Sequence, residues 1–337
     1  MHMADALIVP AVAGTMYAAS TIAAGVSVRE VKLENNPKKI PLMGVMGAFV
    51  FATQMLNFTI PGTGSSGHLC GGMMLSALLG PFAGFLTMIG VLLVQCLFFA
   101  DGGLLALGCN VWNMAFYGCF IGSFLIWRPM MKKGATKGKI IAASVIGCVV
   151  TLQLGAFSVC LETLASGVTE LPFSVFLATM QPIHLAIGAV EGLITAAVLC
   201  FVHEARPELL WGVGETAGEG RLTFKKTLGV LAIFAAIFGG IVSLFASAFP
   251  DGLEWSMEKV AGTSELEATG GAYDFFASIQ EATSFLPDYA FKNSDTVAGT
   301  SFSGIIGGLI VVVLCVGVAS LLKFFKNTKV EEAKADE

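Results

Sequence analysis

Charge is the scarcest thing in this sequence. Asp, Glu, Lys and Arg make up 13% of its 337 residues, against 55% hydrophobic ones and a mean hydropathy of +0.79. That balance cannot cover a water-exposed surface, which excludes an ordinary soluble domain and makes lipid the solvent for much of the chain. A Gly-x-x-x-x-Gly-Lys-Ser/Thr phosphate loop is also missing, because Gly134 to Lys139 has the wrong spacing, so any ATP is hydrolysed on another chain. Paired Cys-x-x-Cys spacing is absent too. Cys70, Cys96, Cys109, Cys119, Cys148, Cys160, Cys200 and Cys315 lie in or beside apolar stretches and read as packing residues, not as disulfides or a zinc site. No basic region precedes the first apolar run, so Met1 is read as retained and not as the start of a signal peptide.

What is present is apolar and small-residue-rich, with 40 Gly and 26 Phe. Small residues let membrane helices approach closely, and a crossing needs about 20 apolar residues. Apolar runs fall near 7–26, 40–57, 69–99, 104–127, 140–161, 181–202, 227–249 and 304–322. The third is too long for one span, and Gly80-Pro81 breaks it, since Pro costs a continuous helix a hydrogen bond and a clash. Its first arm, roughly a dozen residues and about 18 Å long, is a short buried helix or one extended into the loop.

Lys and Arg concentrate on the cytoplasmic side of membrane proteins. Four segments are basic: Arg29, Lys32, Lys38 and Lys39; Arg128 to Lys139; Arg206 to Lys226; and Lys323, Lys326 and Lys329. Residues 250–303 carry nine acidic residues against Lys259 and Lys292 and belong outside. Nine segments then put every basic loop on one side, with the N-terminus out and the C-terminus in. No inverted repeat is visible. The expected fold is all-α integral membrane, a bundle of about seven helices plus two further transmembrane helices flanking an extracytoplasmic loop. The expected divisions are the bundle over 1–205, a cytoplasmic linker 206–226, a two-helix domain 227–325 with its loop at 250–303, and a charged cytoplasmic tail 326–337.

Polar groups at membrane depth are costly, which makes the few present functional suspects. They are His2, His68, Asp101, His184, Glu191 and the amides Gln54, Asn57, Gln95, Asn110 and Asn113. His2 offers a chelate: the Met1 amine, the His2 peptide nitrogen and its imidazole give three nitrogens in nearly one plane. A fourth from His68, in the loop Gly62 to His68, completes a square that suits Ni(II), Cu(II) or low-spin Co(II) better than tetrahedral Zn(II). A second-position histidine is also an ordinary loose terminus, His68 an ordinary cap, and His184 a packing group. Ser66, Asp101, Asn110 and His184 are candidates for surrounding or pathway roles.

Several motifs in order carry a resemblance: Met1 to Asp5, Asn57 to Gly62 running to Gly67-His68-Leu69, Gly80-Pro81, Phe99 to Gly103, Leu107 to Met114, Ile183-His184 and Glu191 to Thr195. The stretch to about residue 205 resembles the CbiM/NikM family, the substrate-specific subunits of energy-coupling factor transporters for cobalt and nickel. Pro250-Asp251-Gly252-Leu253-Glu254 and Leu286 to Phe291 resemble the PDGLE domain, related to NikN and here fused behind. The resemblance implies Ni(II) or Co(II) as transported substrate, held by the terminal amine, the His2 amide and imidazole, and His68. It implies a transmembrane coupling subunit, two cytoplasmic ATPases and a prokaryotic plasma membrane, with no catalysis by this chain and no nucleic-acid partner. Two other classes compete with it. Gly64-Ser65-Ser66-Gly67 with His184 suggests an intramembrane serine protease, though the glycine after His184 falls at Gly188, one residue late. Asp101, Glu191 and His184 suggest a proton-coupled permease.

Overall fold

Helices make up about three quarters of the chain, and most of the long ones are apolar. The computed structural model describes residues 1–31, 33, 38–213, 220–292, 296 and 298–335, with side chains described to Phe325 and at Thr328. Lys32, residues 214–219 of the expected linker, the side chains of Lys326 and Lys329, and the last two residues lie outside the described residues. The helices are α1 (Pro10–Glu30), α2 (Lys39–Gln54), α3 (Gly72–Leu79), α4 (Pro81–Phe99), α5 (Leu107–Met131), α6 (Lys137–Ala165) and α7 (Phe173–Ala205). They continue as α8 (Phe224–Gly240), α9 (Gly252–Ala261), α10 (Ala272–Thr283) and α11 (Ala298–Ala335). Six are long and apolar enough to cross a membrane by length and composition, and the shorter α2 is apolar as well. Leu125, Leu193 and Val313 are 68%, 60% and 72% exposed, the placement of side chains that meet lipid and not water. The chain is an all-α multi-pass membrane protein.

Close backbone approach at small residues holds the helices together. A Cβ at Gly188 would sit 3.0 Å from Val149 Cα, and one at Gly192 would sit 2.6 Å from Val145 Cα, so α6 and α7 lie backbone to backbone. Gly239 of α8 meets Gly304 of α11 in the same way, and Gly44 and Gly47 of α2 receive Val311, Val312 and Val316 of α11. The last long helices therefore dock on the first bundle through α2.

The long apolar run does break at Gly80, whose φ of +82° is open to glycine, and Pro81 then starts α4 at the one turn that needs no proline N–H. The first arm, α3, has eight residues, all buried, and at about 12 Å it is a half-helix inside protein. Irregular backbone at such depth is tolerated only where protein covers it.

Three features depart from the expected outline. A two-stranded antiparallel ribbon, β1 (Phe58–Ile60) with β2 (Ser65–Gly67), turns back through Gly62 and Gly64 and presents His68 at its end. Helix α7 begins at Phe173 and runs through Pro182, so His184 lies inside it and not at its start. Residues 250–303 are no plain loop. Asp251 caps α9 through Leu253 and Glu254 N–H while Glu254 accepts from Asp251 N, a capping box that specifies a helix start. α10 follows without a side-chain cap.

The two ends of the bundle differ in charge. Lys38 and Lys39 share a cleft with Leu78, Leu79 and Trp211, and Trp211 N donates to Ala77 O at 2.8 Å. The N-terminus, the ribbon, Asp101 and residues 247–291 gather at the other end, where Ser247 N donates to Asn57 O and Leu286 N to Phe98 O.

Candidate metal centre

Chain termini are usually loose. This one is threaded into the bundle, with Met1 and Met3 buried. Asn110 grips Met3 from both sides, Oδ1 accepting from its N–H at 2.7 Å and Nδ2 donating to its carbonyl at 3.2 Å, while Gly103 N donates to the same carbonyl at 2.9 Å. Asp5 accepts from Ala106 N at 2.9 Å. The amine of Met1 is thereby delivered to His68, 2.9 Å from Nε2. Two nitrogens on adjacent corners of a metal–nitrogen square with bonds of about 2 Å are about 2.8 Å apart, so this pair already has that spacing.

In the His68 ring the second nitrogen decides which one is bare. His68 Nδ1 faces Leu69 O at 3.0 Å; a carbonyl only accepts, so the proton sits on Nδ1 and Nε2 presents its lone pair to the amine. His2 Nε2 faces Gln95 Oε1 at 3.2 Å, and its Nδ1 is the nitrogen that closes a chelate ring with the His2 amide. Asp101 Oδ1 stands 3.1 Å from that Nδ1, and Tyr289 donates to Asp101 Oδ2 at 2.5 Å. The two imidazoles stack with centroids 5.2 Å apart.

Asp251, seen in the sequence only as part of the Pro250 to Glu254 motif, also enters the site. It caps α9 with Oδ1, and its Oδ2 makes an ion pair with the Met1 amine and lies 3.6 Å from His68 Nε2. Burial alone would lower the amine's pKa, but the charge and hydrogen bond of Asp251 outweigh it and raise the amine above its ordinary value of 8.0. Asp251 is held well below the usual carboxylate range: burial opposes this, and the charge of the Met1 amine prevails. His2 is pushed down to about 4, burial outweighing the attraction of Asp101, so its imidazole is neutral at physiological pH.

The other candidates have other partners. Ser66 Oγ donates to Phe249 O at 2.7 Å and Pro250 O at 3.2 Å, fastening the ribbon to the later part of the chain. His184 Nδ1 faces Met180 O at 2.8 Å, and the ring borders a small void with Met1 and His68. Glu191 accepts from Cys70 N and Gly71 N, both at 2.9 Å, and so buttresses the backbone just after His68. Neither Ser65 nor Ser66 is bonded to His184 among the described residues, so the dyad of a serine protease is not assembled. Among the described residues no three His, Cys, Asp or Glu side chains are grouped to hold a metal. Two of the nitrogens gathered here belong to the backbone.

Comparison with known proteins matches this architecture. Residues 2–209 match the model of the cobalt uptake substrate-specific transmembrane region, CbiM, and residues 225–324 that of the PDGLE domain. A putative fused nickel transport protein, NikMN, of Archaeoglobus fulgidus is 35% identical, covering 93% of this chain and 96% of its own length. The cobalt transport protein CbiM of Geobacter sulfurreducens is 34% identical over 66% of this chain and 65% of its own. A crystal structure of a transition metal transporter is 30% identical with a TM-score of 0.53, covering 62% of this chain and 96% of the other. With both models matched in sequence order on one membrane-embedded chain, this protein belongs to the CbiM family of cobalt and nickel uptake, as a non-enzymatic transport component fused to a PDGLE domain.

Proposed function

We propose that this chain captures Ni(II) through the Met1 amine, the His2 amide nitrogen, His2 Nδ1 and His68 Nε2, with Co(II) as the alternative substrate. The 2.9 Å separation of Met1 N and His68 Nε2 is the observation that carries the ligand set. The fused relative's name as a nickel transport protein favours nickel. Capture strips the ion of water, and the amine and amide must each lose a proton, so acid weakens binding. Asp101 and Asp251 supply negative charge beside the incoming dication. Leu69 O fixes the His68 tautomer, Gln95 and Asp101 position the His2 ring, and Asn110 and Glu191 hold the backbone on which the ligands ride.

The further reading is import driven by ATP, with a transmembrane coupling subunit and two cytoplasmic ATPases reorienting this subunit after capture. The metal end faces outside and the basic end the cytoplasm, in keeping with the charge asymmetry of the bundle. The working division is a metal-binding domain over residues 1–205, a linker 206–226 and a two-helix domain 227–325. Titration of the purified chain with Ni(II), Co(II) and Zn(II), beside His2→Ala and His68→Ala, tests the ligand set. Both variants are expected to lose tight Ni(II) binding; if both bind like the parent, the site is wrong. Uptake that proceeds in vesicles without ATPase subunits contradicts the ATP-driven reading.

A further inference from the structure

Above the nitrogen ligands opens a cavity of about 700 Å³, with His2 and His68 in its wall. Its other walls come from both domains of the chain. Asp5 and Asp101 line it from the first domain, and Asp251, Glu254, Glu265, Glu267 and Asp288 from the second. Among the described residues no Lys or Arg lines it. Lys259 lies over the Trp255 ring instead. Glu265, Glu267 and Asp288 are exposed and make no ion pair among the described residues.

A second feature points to what enters. Gln54, 3% exposed, borders the same cavity; its Nε2 donates to Cys70 O at 2.7 Å, while its Oε1 is buried without a hydrogen-bond partner. A buried carbonyl oxygen left bare adds negative potential beside this low-dielectric cleft, and together with the carboxylates it favours a cation there. With metal–oxygen bonds of about 2.1 Å and a water radius of about 1.4 Å, a hexahydrated ion fills roughly 180 Å³, well inside this space.

We propose that the cavity is a receiving chamber for the hydrated divalent cation, whose far wall is built by the PDGLE domain, and from which the ion passes to the nitrogen ligands. The inference rests on the capture function proposed above, and it gives the fused domain a role, which is to raise the local concentration of cation before dehydration. Carboxylates that receive a hydrated ion set the rate of arrival, and the nitrogen ligands set the rate of departure.

The test is stopped-flow association of Ni(II) with the full-length chain over a range of ionic strength. The combined variant Glu265→Gln, Glu267→Gln and Asp288→Asn removes three charges that touch no proposed ligand. Asn also accepts the left-handed φ of +51° found at position 288. The association rate constant is expected to fall about tenfold or more at low salt, with a flatter salt dependence and an unchanged dissociation rate. An association rate and salt slope equal to the parent's overturn the proposal, as does a variant that changes only dissociation. Each charge removed singly, expected to give a share of the loss, provides the same reading if the triple variant is poorly made. Failure of the nitrogen ligand set shows separately, as Ni(II) binding at equilibrium retained by His2→Ala.

Discussion

Two stretches face each other across the large cavity, and they are built in opposite ways. The N-terminal segment has Met1 and Met3 buried and is held by Asn110, Gly103, Ala106, Gln95 and His68. Residues Glu265 and Glu267 opposite are exposed, with their carboxylates free of ion pairs among the described residues. The contrast separates two demands on a metal carrier. A ligand that replaces water must be fixed beforehand, whereas a charge that attracts a hydrated ion gains from being solvated and unpaired.

The change with the largest expected effect on the fixed side leaves every side chain in place. One residue added ahead of Met1 moves the terminal amine by about 3.8 Å and removes it from the chelate. Ni(II) affinity is expected to fall by at least about a hundredfold, the upper end of what loss of an outer partner costs. Equilibrium titration of the extended chain checks this, and unchanged affinity would remove the amine from the ligand set.

Next comes the buttress. Glu191→Ala strands two buried N–H groups at Cys70 and Gly71, each costing about 1–3 kcal/mol. A lower melting temperature together with weaker Ni(II) binding is expected, with Glu191→Gln recovering part of both. Weakened folding with intact affinity would show that the backbone after His68 tolerates the loss.

The clasp between Met1 and Asp251 predicts a pH dependence. The carboxyl, depressed in the folded chain, stabilises above its ordinary range near 4, and that share is lost as pH falls through its lower folded value. The amine, raised in the folded chain, stabilises below about 8, and its share is lost as pH rises through its higher folded value. Thermal stability of the metal-free protein is thus expected to be broadest between roughly pH 4 and 8. Asp251→Asn, which keeps a good helix cap, is expected to flatten that plateau and to shift the pH midpoint of Ni(II) binding downward. A parent-like midpoint would mean that Asp251 does not hold the amine's proton.

Smallest of all is Ser66→Ala, which removes bonds to Phe249 O and Pro250 O and is expected to cost about 1 kcal/mol of stability. Metal affinity measured at saturation of folding should not change.

Hydropathy made most of the fold legible, because crossing lengths are written locally in composition. The break at Gly80-Pro81 was legible for the same reason, since both residues act on their own turn. Helix α9 was missed, although Asp251-Gly252-Leu253-Glu254 carries the spacing of a capping box, because an amphipathic helix in a polar loop leaves no hydropathy signal. Met1, His2 and His68 were nameable from chelate chemistry and from the resemblance. Asp251 was not named as a site residue, since its contact spans 250 positions and arises only when the second domain docks on the first. Glu191 stood out as a costly mid-helix carboxylate, but its partners are backbone N–H groups, which no residue type announces.

X-ray absorption at the metal edge of the Ni(II)-loaded, full-length chain addresses the ligand set most directly. Four nitrogen donors at about 2 Å, with scattering from two imidazole rings and no sulfur, are expected. A shell of five or six oxygens, or one unchanged in His68→Ala, would contradict the nitrogen square.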